Sequence, residues 1–89
     1  MEVKIAKPSE EQLQAMGVRQ WPTWSCEPSV FDWEYDEKET CYILEGEVTV
    51  TTPAGKVSFA AGDLVEFPQG LKCKWNVTER VRKHYRFGD

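Results

Sequence analysis

Apolar and polar residues alternate along most of this chain with a period of two, the spacing of half-buried strands. Val3 and Ile5 flank Lys4 as a short first strand. The exception follows at Ser9, where Ser and a Gln three residues later form a capping-box pattern before Leu13 and Met16, and Gly17 marks the stop. This predicts one short helix. From Trp21 the period returns to two, although Pro22 suggests an edge strand or bulge. Further strands are predicted over residues 30–34, 41–44, 47–52, 56–60, 64–67, 72–77 and 81–87. Turns at Pro53-Ala-Gly55, Ala61-Gly-Asp63 and Pro68-Gln-Gly70 separate several of them. Eight or nine short strands with regular turns predict an antiparallel all-β sandwich or barrel.

The 89 residues are expected to form one domain, 1–89, with a modest core. Four Trp, three Tyr and four Phe help such a core, because each ring buries a large area. The net charge of −4 and pI near 5.0 argue against a nucleic-acid surface. Acidic residues concentrate between Asp32 and Glu45 and basic ones between Lys72 and Arg86, which reads as solvated strand faces. No stretch approaches a membrane span, and the first residues lack the apolar region of a signal peptide. Cys26, Cys41 and Cys73 are odd in number and show no C-x-x-C pair. Free thiols in a cytoplasmic, reducing compartment are the expectation.

Two segments carry the most information: Glu39-Thr-Cys-Tyr-Ile-Leu-Glu-Gly46, and Gly62-Asp-Leu-Val-Glu-Phe-Pro68-Gln-Gly70-Leu-Lys-Cys73. Their glycine, proline and glutamate spacings resemble the two motifs of cupin barrels. With Phe31-Asp-Trp-Glu-Tyr-Asp36, Leu71-Lys-Cys-Lys-Trp75 and Val81-Arg-Lys-His-Tyr85, the chain is similar to small single-domain cupins of the ureidoglycine-aminohydrolase-like and ethanolamine-utilisation-like group. The likeness spans about residues 20–87. It implies a small RmlC-like jelly-roll barrel, all-β with one short N-terminal helix, and it implies a homodimer. It also implies an internal metal site held by three His and a Glu. Here Asp32 and Glu34, or Trp33 and Tyr35, stand where the first two His are expected, and Cys73 where the third is expected. The single histidine, His84, is placed with Arg82 and Arg86 on the outer face and is expected to be exposed.

Strand parity then indicates what fills the interior. If Glu39 points inward, so do Cys41 and Ile43; if Cys73 does, so do Leu71, Trp75 and Val77. In the last strand Val81, Lys83, Tyr85 and Phe87 share a face. The expectation is a small-molecule pocket without the usual His-based metal, in which Cys73, Glu39 and Lys83 are the candidate catalytic groups. Cys41, Trp75, Tyr85, Trp33, Tyr35 and Trp24 are the candidate lining. A cation beside Cys73 would favour its thiolate, and Glu39 would act as general acid or base. The expectation is a cupin barrel of unassigned reaction, and one reading of it is a metal-independent enzyme acting on a small polar metabolite. The alternatives are a non-catalytic binding or sensing barrel, an atypical metal at Glu39, Cys41 and Cys73, and an assembly module paired through Trp21 or Trp24. In the plainer reading, Glu39 and Lys83 are an internal ion pair and the two thiols are inert core residues.

Overall fold

The computed structural model describes residues 2–88 and places the predicted helix and seven strands. Strand β1 (Lys4–Ala6) precedes α1 (Glu10–Met16). Ser9 caps α1: its hydroxyl accepts from the Gln12 amide at 3.2 Å, and the Gln12 side chain accepts from the Ser9 amide at 2.9 Å. Gly17 ends the helix in the left-handed region, with φ 70°. A single 3₁₀ turn, Val18–Gln20, leads to β2 (Thr23–Cys26) and β3 (Ser29–Glu34). The remaining strands are β4 (Glu39–Thr52), β5 (Gly55–Ala60), β6 (Leu64–Phe67) and β7 (Lys72–Phe87).

All the pairings are antiparallel. The two long strands β4 and β7 lie side by side and organise everything else. One half of the pair carries β6 and then β1 on the β4 side, and β2 on the β7 side. The other half carries β5 on the β4 side and β3 on the β7 side. These two halves enclose the core in the manner of a small cupin jelly roll.

The expectation of eight or nine short strands needs correction, because the segments predicted over 41–44 and 47–52 are one strand, and so are 72–77 and 81–87. Their mutual ladder continues through the interruption, and β4 absorbs it as register shifts between Ile43 and Val48. The net slip moves the inward set of β4 from Cys41 and Ile43 to Val48 and Val50, all four fully buried. Gly46 permits this. Its φ is 97°, and a Cβ there would stand 2.2 Å from the Arg80 carbonyl oxygen.

The core stacks Tyr35 on Phe67, with centroids 4.8 Å apart, and sets Phe59 edge-on against both Phe67 and Trp75. Val48, Val50, Val65, Ile43 and Val81 fill the space between the rings. Full burial of one such side chain is worth about 1.5–3 kcal/mol, so this cluster is what the small chain relies on for stability.

Candidate functional site

Glu39 is the first residue of β4, flanked on its inward face by Phe67 of β6 and Phe87 of β7. Lys83 lies on the inward face of β7, opposite Ile43 on one side and Trp24 of β2 on the other. Their side chains meet: Lys83 Nζ donates to Glu39 Oε2 at 2.7 Å, with only 6% and 3% of the two side chains exposed. The ammonium also sits 5.0 Å from the Trp24 ring centroid and 4.7 Å from that of Trp75. A charge removed from water must be compensated to persist, and here a carboxylate and two ring faces compensate it.

This pair forms the polar part of a cavity of about 210 Å³. Trp24, Phe31, Trp33 and Trp75 make one set of walls. Tyr35, Tyr85 and Phe87 complete the lining. Trp24, Trp33 and Phe87 are 37%, 47% and 44% exposed, which marks them as the rim, whereas Tyr35 and Trp75 are buried. The walls brace one another. Phe31 stacks on Trp75 at 5.9 Å, Trp24 meets both edge-on, and Trp33 meets Tyr35 edge-on. The Tyr35 hydroxyl is held protonated well above its ordinary range. Burial is the main cause, followed by the Glu39 carboxylate and the two nearby thiols.

Seven residues singled out from sequence therefore converge on one cavity: Glu39, Lys83, Trp24, Trp33, Tyr35, Trp75 and Tyr85. The two thiols do not join them. Cys41 is fully buried opposite Tyr85, and burial pushes its thiol up to about 12, although nearby Lys83 acts in the opposite direction. Cys73 borders a separate cleft with Lys72, Lys74 and Thr51. Its thiol is also raised, first by burial and then by the Glu39 and Asp32 carboxylates, with the Trp75 side chain opposing them. Cys73, expected beside Lys83 as a thiolate, is not among the residues lining the Glu39–Lys83 cavity. Lys83 is committed to Glu39, and burial favours the neutral thiol.

Parity alone would have found Phe31, which precedes Trp33 by two residues on the same strand face. His84 is half-buried rather than exposed, because its Nδ1 lies 2.9 Å from the Trp21 carbonyl oxygen. Trp21 in turn lies under the Arg86 guanidinium at 4.8 Å. One buried polar atom, Trp75 Nε1, reaches no hydrogen-bond partner among the described residues; it lies toward Cys73 without closing a bond.

The residues present do not fit the metal that the cupin likeness implies. His84 stands on the outer face beside Thr23 and Tyr42. Among the described residues no three His, Cys, Asp or Glu side chains converge, so the ligand set of Glu39, Cys41 and Cys73 is not assembled. No helix among the described residues is long and apolar enough to cross a membrane.

Comparison with known proteins follows the same lines. A DUF861-family protein of Thermotoga maritima has a crystal structure that is 57% identical to this chain and superposes with a TM-score of 0.94, covering 97% of this chain and 99% of that one. The EutQ protein of Clostridioides difficile superposes with a TM-score of 0.69 at 26% identity, over 74% of this chain and 52% of that one. In sequence, the protein named acetate kinase EutQ from Clostridioides difficile strain 630 is 30% identical over 57 residues, which is 64% of this chain and 36% of that protein. The chain thus matches about a third of the length of that curated relative. These matches carry the ethanolamine-utilisation side of the likeness expected from sequence. The family model described as the EutQ-like cupin domain matches residues 13–85, and the chain belongs to that family.

Proposed function

We propose that this cupin binds a small molecule in the cavity above Glu39 and Lys83, and that it does so without chemistry on the thiols. The single observation that carries this reading is the convergence of seven aromatic side chains and one buried ion pair on one cavity of about 210 Å³. Apolar walls with a few convergent polar groups are the usual make-up of a ligand site. At roughly 30 Å³ per water the space holds about seven waters, enough for a single-ring molecule. An enzyme using Glu39 as a free base or Lys83 as a free amine would first have to separate the pair. The binding reading needs no such step. The name of the curated relative, acetate kinase, would instead seat a short carboxylate on Lys83. The Glu39 carboxylate beside that ammonium would repel it, which argues against that occupant in this chain.

Thermal-shift screening with single-ring fragments tests the proposal. A true occupant raises the melting temperature saturably, and the effect disappears in Trp24→Ala and Tyr85→Ala, each of which removes a wall. Recovery of the compound unchanged after long incubation supports binding; its conversion would favour the enzyme reading. Shifts that persist undiminished in both variants would refute the cavity as the site.

A further inference from the structure

The charge balance of the cavity selects its ligand. This step rests on the small-molecule reading above. Glu39 and Lys83 contribute one charge of each sign at 2.7 Å, and every other lining residue is aromatic, so the lining is neutral. An anion that bonded Lys83 would sit beside the Glu39 carboxylate, whose like charge repels it. A cation would compete with Lys83 for the same carboxylate and the same rings. Either ion adds an uncompensated charge between largely apolar walls, which is costly.

The pair nevertheless keeps spare hydrogen-bonding capacity. An ammonium has three N–H donors and Lys83 spends one on Glu39, while a carboxylate has about four acceptor sites, of which Lys83 takes one. A ligand with a donor and an acceptor side by side can bond both residues without parting them. Its body must match the aromatic walls. We infer that the cavity takes a net-neutral, single-ring molecule carrying a carboxamide-like group, with the ligand N–H on Glu39 and the ligand carbonyl on Lys83.

Three near-isosteric probes test this at neutral pH: benzamide, benzoate and benzylammonium. Each is titrated into the intact chain and read by tryptophan fluorescence, which reports on Trp24 and Trp75, and by thermal shift. Benzamide is expected to bind at least tenfold tighter than either ion. Tighter or equal binding of benzoate or benzylammonium overturns the ligand class but leaves a cavity ligand standing. Saturable binding by none of the three overturns the inference and the cavity reading together. Glu39→Gln leaves a lone cation and should shift preference toward benzoate; Lys83→Met leaves a lone anion and should shift it toward benzylammonium. An unchanged order of the three probes in a folded variant also refutes the inference. The wild-type comparison decides the matter if neither variant folds.

Discussion

Lys83→Met strands the Glu39 carboxylate in a space where only 3% of its side chain reaches solvent. Removing one partner of a buried, hydrogen-bonded ion pair costs about 3–5 kcal/mol, because the other charge is left uncompensated. A chain of 89 residues has a total stability of about 4–13 kcal/mol at roughly 0.05–0.15 kcal/mol per residue, so the loss is a large fraction of it. Glu39→Gln should be milder. The ammonium it leaves behind still faces Trp24 and Trp75 at 5.0 and 4.7 Å, contacts worth up to about 2 kcal/mol when desolvated. The lone carboxylate has no such favourable ring contact, because an aromatic face repels an anion. The double variant Lys83→Met with Glu39→Gln removes both charges and should recover most of the loss, giving a coupling energy of several kcal/mol. Urea unfolding of the four proteins measures this directly. Thermal melts should show a drop of more than about 12 °C for Lys83→Met, at about 4 °C or more per kcal/mol. Two singles that each cost less than about 1 kcal/mol and add in the double would refute the reasoning, since that is how solvated surface pairs behave.

Gly46→Ala should destabilise the chain by several kcal/mol in urea unfolding. It forces a side chain into a φ of 97° and places its Cβ 2.2 Å from the Arg80 carbonyl oxygen; a change below about 1 kcal/mol would mean that the β4 bend does not need glycine. The thiols make an alkaline prediction. With Cys41 raised to about 12 in the folded chain, the unfolded state loses that proton first, so stability should fall as pH rises from about 9 towards 12, at about 1.4 kcal/mol per unit. Cys73 and Tyr35 are raised in the same direction and add to the fall, while native-state alkylation at pH 8 should leave Cys41 unmodified. A flat stability profile above pH 9 in chemical denaturation, or rapid native alkylation of Cys41, would contradict this.

The sequence by itself determined the strand faces. Period-two alternation put Glu39, Cys41, Ile43, Leu71, Trp75, Val77, Val81 and Lys83 inward, and all are buried, whereas Tyr85 and Phe87, placed on the same face, are half-buried and exposed at the cavity rim. The capping box announced α1, and the spaced glycines and prolines announced the cupin turns. These features are local: a pleat alternates and a cap closes within one turn, so neither needs a distant partner.

Which inward residues share a space is not local, and only the tertiary structure decided it. Cys73 and Trp75 have the same parity, yet Trp75 walls the cavity while Cys73 borders another cleft. The register of β3 and β4 against β7 sets that division, together with the net slip at Gly46. It also brings Glu39 and Lys83, 44 positions apart in the chain, to a 2.7 Å contact. Parity names a face. Register, fixed by packing across the core, chooses the neighbours on it. Here it joined the acid to the amine and left both thiols out of the cavity lining.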